Sequence, residues 1–408
     1  MKLEKNDLTL DDSLIGYIFK NQIKKLHLMN EDNPYPIRQW IEYTENVYGH
    51  ILNFFSRLEY LTVTGPFCDE YLGLTLHGLP SDTFSSSILT YLNINVLNFI
   101  DCLYLLDGRL KQLHTLIARF HLMDIDSSVV SNKTDLPNLK NFSVICYNSI
   151  NNYNEFVSLI HRMLNLEKLT LYLRIDYQYR FIDPIDLLNQ FSMHLLQLNS
   201  FKFYLSVVND DDHFVKYLSN NNRNMKYQQT SDIVSFDSNK KRYHLFTVPF
   251  EFIKLITIGN VFPNIRFNNV IELWVLDIVP FKHEFFLRIS RAFPLLKNFI
   301  VSDLMSVVND DFRLPDNIEQ SYEIITYPHL TALDLTRAGV SCVDQLLNEN
   351  KTHLPCLNQL RIFYETLTIT TENFTREATR RNCANITRLI TISQYAGTKD
   401  YYTYFPLL

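Results

Sequence analysis

Two pairs of neighbouring aspartates are the side chains of this sequence best suited to binding a metal ion. The string SVVNDD occurs at 206–211 and again at 306–311, each time close behind an apolar run. Its aspartates are Asp210, Asp211, Asp310 and Asp311. Carboxylate oxygens bind divalent cations, but Asn and Asp also form solvated turns in which they cap the next segment. Because neither calcium-loop spacing nor a glycine accompanies them, we expect turns, with no metal and no other cofactor.

Motifs for catalysis are absent from the sequence. It contains no GxSxG, HExxH, GxxxxGKS/T or GxGxxG pattern, which are the spacings that serve nucleophilic serine, zinc and phosphate chemistry. Its twelve histidines are dispersed, and His27 has no acid or cysteine beside it. Catalytic triads assemble in space, yet nothing in the sequence points to one. We therefore expect a protein that is not an enzyme.

Charge and hydropathy exclude several classes of partner. The sequence has 38 basic and 44 acidic residues, a net charge of −6 and no long run of Lys or Arg, so we expect no nucleic-acid binding.

The N-terminus, MKLEKNDLTLDDSL, lacks the apolar core of a secretion signal. The apolar stretch 89–106 contains three asparagines and an aspartate, so we expect no membrane span. Six scattered cysteines without a CxxC pair indicate reduced thiols in a cytoplasmic or nuclear protein.

The elements that must position any site come from one repeated phrase: an apolar residue, two variable residues, an apolar residue, one variable residue and an apolar residue. Examples are LEYLTV at 58–63 and LEKLTL at 166–171. Most intervals between phrases lie near the leucine-rich-repeat period of 20–29 residues or slightly above it. The phrase begins at Ile23, Leu58, Leu89, Leu113, Leu139, Leu166, Leu198, Ile253, Val270, Leu296, Leu330 and Leu357, with a weaker copy at Ile386.

The phrase predicts a short strand with two different faces. Positions four and six point to one side of the strand, and positions three, five and seven point to the other. A strand of this kind buries its apolar side only by stacking on neighbouring units. A doubly wound α/β domain is the alternative, but its buried strands would be apolar throughout, whereas position five is polar in most phrases.

Helices are predicted between the phrases. Segments with apolar residues at helical spacing are 155–164, 183–196, 284–293 and 341–350. Proline, which cannot continue a helix, lies two residues before a phrase at Pro137, Pro294, Pro328 and Pro355. We therefore expect an α/β fold, a curved leucine-rich-repeat solenoid with one parallel sheet on its concave face and helices on its convex face.

A central insertion interrupts the repeats. The interval between the phrases that begin at 198 and 253 is about two repeats long. It contains two β-prone runs, IVSF at 233–236 and YHLFTV at 243–248, with a polar turn between them, which predicts a β-hairpin. The expected domains are an N-terminal repeat block at 1–206, the insertion at 207–249 and a C-terminal repeat block at 250–408.

The units of helix, proline and LxxLxL resemble ribonuclease-inhibitor-like leucine-rich repeats. YHLFTVPFEF at 243–252, with repeats on both sides, is similar to F-box-and-LRR proteins. This resemblance implies an N-terminal F-box that recruits an SCF-type ubiquitin ligase, and repeats that bind the protein to be ubiquitinated. The sequence departs from the family because no LPxE-like helical opening precedes Ile23. The alternative is a stand-alone regulatory or inhibitory repeat protein.

In either case we expect a monomer that binds a protein partner through the concave face. Tyr, Trp and Arg are the types enriched at binding hot spots. Tyr172 and Tyr204, at position seven of consecutive phrases, should stand side by side, and the nearby lysines favour an acidic or amphipathic partner segment. The predicted partner-binding residues are Tyr60, Tyr91, Arg119, Lys168, Tyr172, Lys202, Tyr204, Trp274, Arg361 and Phe363.

Overall fold

The fold is known from a computed structural model of the chain. It describes residues 20–29, 44–64, 74–76, 79, 85–121, 136–150, 153–175, 189–191, 193–209, 224–225, 228–237, 240–303, 323–392 and 399–408. The chain divides into two compact units, each with its own parallel sheet. The first consists of Met1–Val207 and Asn224–Gln228, and the second of Val208–Arg223 and Gln229–Leu408.

Seven parallel strands form the sheet of the first unit, and they lie side by side in the order of the sequence. Each comes from one copy of the phrase and begins two residues after the phrase does. The strands are β1 (Lys25–Met29), β2 (Tyr60–Thr64), β3 (Tyr91–Val96), β4 (Thr115–Phe120), β5 (Asn141–Ile150), β6 (Lys168–Ile175) and β7 (Ser200–Asn209).

Each strand joins the sheet through the same backbone contact. The amide groups of Glu59 and Tyr60 both donate to the carbonyl oxygen of Lys24, at 2.9 and 3.0 Å. Thr90 and Tyr91 repeat this on the carbonyl oxygen of Glu59, at 2.9 and 3.1 Å. The contact recurs at each later step of this sheet up to β7. A repeated local geometry of this kind sets the strand register, so equivalent positions of successive phrases lie side by side.

Position four of the phrases forms the core of the first unit. These residues pair across adjacent strands, and each is at most 3% exposed. Such a row buries apolar area that no single strand could bury alone. The row consists of Leu26, Leu61, Leu92, Leu116, Phe142, Leu169 and Phe201.

Helices lie in the connections between the strands. A π-helical turn at Thr44–Gly49 leads into α1 (His50–Phe54), α2 (Phe99–Leu105) follows β3, and α3 (Tyr153–His161) follows β5. Asn98 caps α2, since its side chain accepts from the amide of Asp101 while the Asp101 carboxylate accepts from the amide of Asn98, which satisfies two amide groups at the helix start. The helix predicted at 155–164 is confirmed by α3, whereas the one predicted at 183–196 lies partly outside the described residues.

An antiparallel pair of strands lies almost entirely in the second unit. The short strand β8 (Asn224–Met225) belongs to the first unit. The strand β9 (Gln228–Asp237), of which only Gln228 belongs to the first unit, pairs with β10 (Lys240–Thr247), with Ser235 opposite Arg242. The pair covers the two β-prone runs of the sequence. The hairpin is deeply packed, because Arg242 and His244 on one side and Tyr243 on the other are all at most 2% exposed.

Six parallel strands form the main sheet of the second unit. They are β11 (Lys254–Ile258), β12 (Glu272–Asp277), β13 (Asn298–Asp303), β15 (Ala332–Arg337), β17 (Gln359–Phe363) and β18 (Arg388–Ile392). Two short strands, β14 (Ile325–Thr326) and β16 (Thr352–His353), pair separately. The helices are α4 (His283–Ala292), α5 (Val340–Leu347), α6 (Tyr364–Thr370), α7 (Glu377–Cys383) and α8 (Lys399–Tyr404). No described helix of the chain is both long and apolar enough to cross a membrane.

The prediction of a single sheet is wrong. All thirteen phrases form parallel strands, but seven belong to one sheet and six to another. The cause lies in the long interval between the phrases at 198 and 253. Its chain forms the antiparallel strands β9 and β10, so the strand of the eighth phrase does not follow that of the seventh in one parallel array.

Replacing a position-four leucine should destabilise the protein. Leu169 and Leu333 are 0% and 1% exposed and belong to different units. We expect Leu169→Ala and Leu333→Ala each to lower the free energy of unfolding by about 2–5 kcal/mol, through lost burial and a residual cavity. The two losses should add to within about 0.5 kcal/mol in the double variant. Urea denaturation measures all three values, and a wild-type midpoint for either single variant would contradict the assigned register.

Candidate functional site

The odd-numbered phrase positions of β1–β7 form one surface, which we call the first polar face. Its side chains lie on the side of the sheet opposite the apolar core, and register aligns them in rows across the strands. Position three supplies Lys25, Tyr60, Tyr91, Thr115, Asn141, Lys168 and Ser200. Position five supplies His27, Thr62, Asn93, Ile117, Ser143, Thr170 and Lys202.

Two stacked tyrosines lie near the start of this face. The rings of Tyr60 and Tyr91 are parallel to within 9°, with centroids 3.9 Å apart, and both are half-buried. His27 tilts against Tyr60 at 5.1 Å, and the ammonium of Lys25 lies 6.0 Å from the centre of that ring. Burial and the neighbouring Tyr60 raise the pKa of Tyr91 to about 12, so its hydroxyl stays neutral. The stack offers aromatic area with polar tips.

Lys25 was missed as a candidate by the sequence reasoning. It is exposed and lies beside Tyr60 at position three of the first phrase. The phrase could have identified it, because Lys25 occupies the same position three that predicted Tyr60 and Tyr91 as partner-binding residues.

The prediction that Tyr172 and Tyr204 are accessible is wrong. Both side chains are 0% exposed. Their rings stack on each other with centroids 4.3 Å apart, and Tyr147 packs edge-on against Tyr172 at 4.7 Å. Burial, followed by the nearby Tyr204 and Tyr147 side chains, raises the pKa of Tyr172 well above its ordinary value. The two tyrosines do stand side by side, but they are buried and stabilise the sheet instead of facing solvent.

The predicted cations of this face remain at the surface. Lys168 is exposed, and Lys202 and Arg119 are half-buried. Arg119 donates to the side-chain oxygen of Asn93 at 2.6 Å. That partner is a neutral amide, so the guanidinium keeps its full charge toward a ligand.

The equivalent surface of the second unit, the second polar face, carries Trp274, Arg361 and Phe363. Trp274 is half-buried and donates its indole N–H to Ser302 Oγ at 3.0 Å, which orients the ring. Arg361 is exposed and lies 3.6 Å from the Asp334 carboxylate, and Phe363 is half-buried. The phrase register therefore places all three at this surface, as the sequence predicts.

A buried serine–histidine contact in the hairpin is structural. Ser235 Oγ lies 2.9 Å from His244 Nε2 and also donates to the carbonyl oxygen of Thr257 at 2.6 Å. Because the carbonyl can only accept, the hydroxyl proton is engaged there and Ser235 accepts from the imidazole. His244 therefore does not serve as a base for Ser235. Both side chains are at most 1% exposed, which keeps a substrate away.

Metal-binding and thiol chemistry have little basis in the described part of the chain. No group of three or more His, Cys, Asp or Glu side chains suited to a metal occurs there. Four cysteines are buried free thiols, and burial raises the pKa of Cys383 to about 12, which keeps that thiol protonated and unreactive. The aspartates of the SVVNDD strings, Asp210, Asp211, Asp310 and Asp311, lie outside the described residues.

The comparisons with known proteins leave the chain without an assigned family. No protein-family model matches it, and no curated protein matches it.

Proposed function

We propose that each unit is a curved leucine-rich-repeat array and that the polar faces recognise a protein partner. Three features support the repeat assignment: the recurring phrase, the sequential parallel pairing of its strands, and the shared carbonyl contact at each step. Arrays of this kind present side chains from successive units on one continuous surface, which suits an extended partner.

The Tyr60–Tyr91 stack is the observation that carries the binding proposal. Two rings with 9° between their planes form a rigid half-exposed platform, flanked by the cation of Lys25. Rigid aromatic area is the kind of surface that dominates binding energies, because little side-chain entropy is lost when a partner packs on it. The core row on the opposite side holds the strands in place beneath it.

The resemblance to F-box-and-LRR proteins supports a narrower version of the proposal. In that version the chain is the substrate-binding part of an SCF-type ubiquitin-ligase adaptor, acting in the cytoplasm or nucleus. Affinity purification followed by mass spectrometry tests it. Recovery of ligase subunits together with the partner would support the adaptor role, whereas a partner without them would favour the regulatory or inhibitory role.

Removing the aromatic platform should weaken partner binding. We expect the Tyr60→Ala/Tyr91→Ala variant to bind its purified partner roughly thirtyfold more weakly, since a hot-spot truncation costs about 2 kcal/mol. Tyr402→Ala is the control, because Tyr402 is 57% exposed on α8 and belongs to neither polar face. Binding is measured by calorimetry with a thermal melt alongside. Wild-type affinity in a normally folded double variant would contradict the proposal.

A further inference from the structure

We infer that the first polar face binds an extended peptide segment with acidic residues at both ends and a neutral middle. The inference rests on the proposed function and specifies the partner's chemistry. It follows from three observations: the sign of the charge on this face, the contrast with the second polar face, and the positions of the cations along one row.

The charge of the first polar face is of a single sign. Among the described residues of β1–β7, the odd-numbered phrase positions include no Asp or Glu. Acids do lie at the adjoining edge of the sheet, but Glu59 and Glu167 are paired there with Lys24 and Lys140, at 2.7 and 2.8 Å. A positive surface attracts acidic partners and repels basic ones, even in a chain of net charge −6. The cations of this face are Lys25, Arg119, Lys168, Arg174 and Lys202.

The second polar face differs in this respect. Lys254 lies 2.8 Å from Glu272, and Arg361 lies 3.6 Å from Asp334. Each acid occupies the same row as its cation on a neighbouring strand. Glu272 and Asp334, the described acids at odd-numbered positions of that face, are thus each paired with a cation, and Arg388 on β18 is a further exposed cation. The described odd-numbered positions of the first polar face include cations and no acid, so we assign the acidic segment to that face.

Four of the five cations of the first polar face lie on its outer strands β1, β6 and β7, whereas Arg119 lies on β4 at position seven, outside the position-three row. Lys25 on β1 and Lys168 on β6 occupy the same row, five strand spacings apart. At about 4.8 Å per spacing the separation is about 24 Å, which about seven residues of extended peptide span. Lys202 lies on the next strand and in the next row.

The row between these ends is neutral. It contains the Tyr60–Tyr91 stack, followed by the half-buried Thr115 and Asn141. Asn141 donates to Thr115 Oγ1 at 3.0 Å, and the amide oxygen of Asn141 and its second N–H are suited to hydrogen bonds with a peptide backbone. Nucleic acid fits less well, because its closely spaced phosphates require clustered cations, whereas these are about 24 Å apart.

Binding of two labelled peptides to the full chain tests the inference by fluorescence anisotropy. The probe is a nine-residue peptide with two glutamates at each end and a Ser/Thr/Gly middle, and its isomer carries all four glutamates in the middle. We expect the probe to bind on the order of tenfold more tightly, since both of its ends meet a cation. Binding should weaken as NaCl is raised from about 0.05 to 0.5 M.

Charge reversal on the row supplies the second arm of the test. We expect Lys25→Glu/Lys168→Glu to lower probe affinity on the order of tenfold. The control variant Lys111→Glu/Lys297→Glu changes the net charge equally at exposed sites off both polar faces and should bind as wild type does. Equal loss in both variants, equal binding of the two peptides, or tighter binding of single-stranded DNA of similar length would overturn the inference.

The two proposals fail in different ways. If Tyr60→Ala/Tyr91→Ala loses the natural partner while the charge reversal changes neither partner nor probe binding, the acidic segment is wrong and the proposed function stands. If the platform variant binds its partner normally, the proposed function itself is wrong.

Discussion

Replacing Tyr172 and Tyr204 by alanine is expected to destabilise the protein more than any other change considered. Both rings are 0% exposed and stack on each other across β6 and β7. Truncating a buried aromatic ring costs about 3–5 kcal/mol, because apolar burial is lost and a cavity remains. The rings are in contact, so the loss in the double variant should differ from the sum of the single losses. Urea denaturation of both single variants and the double variant measures this coupling.

The other tyrosine stack of the same face is the matched control. Tyr60 and Tyr91 form the same cross-strand contact, but they are half-buried, so their replacement removes less buried area. We expect the Tyr60→Ala/Tyr91→Ala variant to lose clearly less stability than Tyr172→Ala/Tyr204→Ala. Equal losses of stability would mean that the difference in burial does not distinguish the Tyr172–Tyr204 pair from the Tyr60–Tyr91 pair.

The second large effect is expected at Asp344, a buried carboxylate in α5. Its side chain is 3% exposed and lies 2.6 Å from Lys351 and 2.7 Å from Arg376. Replacing it by asparagine keeps the shape and removes the negative charge, which leaves two cations without their shared partner. Breaking a buried ion pair in this way costs about 3–5 kcal/mol. Glu377→Gln is the control, since Glu377 is 79% exposed in its pair with Arg380, and exposed pairs contribute about 0–1 kcal/mol.

The stabilisation by Asp344 should depend on pH. Burial raises the pKa of this carboxyl, but Lys351 and Arg376 outweigh burial and hold it below the ordinary value of 3.8. A carboxyl with a depressed pKa in the folded state stabilises the protein fully above its unfolded pKa. The contribution is lost as the pH falls through the lower, folded pKa. We therefore expect the stability difference between wild type and Asp344→Asn to be constant near neutral pH and to shrink below about pH 4. A difference that grows on acidification would contradict this assignment.

Phrase positions could be read from the sequence because each strand is short and its geometry is local. A residue at position four must point away from one at position three or five, so Leu169 and Leu333 were placed in the core without knowledge of the fold. The same rule placed Tyr60 and Trp274 on the polar faces. No long-range information was needed for these assignments.

Accessibility at position seven could not be read in this way. Tyr172 and Tyr204 are on the polar side of their strands, as their spacing predicts, and yet they are fully buried. Alternation determines which side of a strand a residue occupies, but not what packs over that side. Tyr147, which packs against Tyr172, lies on the neighbouring strand within a register shift between Ile145 and Ser149, and the phrase does not predict that shift.

The sequence alone determined the strands, their order along the chain and which side chains form the core, because these follow from a period of two residues and a repeated phrase. The tertiary structure decided the division into two sheets, the burial of the Tyr172–Tyr204 stack, and the balance of charge on each polar face. Those features arise where strands from distant parts of the sequence meet. Whether Lys254 lies beside Glu272 on the next strand, or Lys168 lies among described residues of its face that include no acid, depends on the register between strands. Spacing within a single phrase does not contain that information.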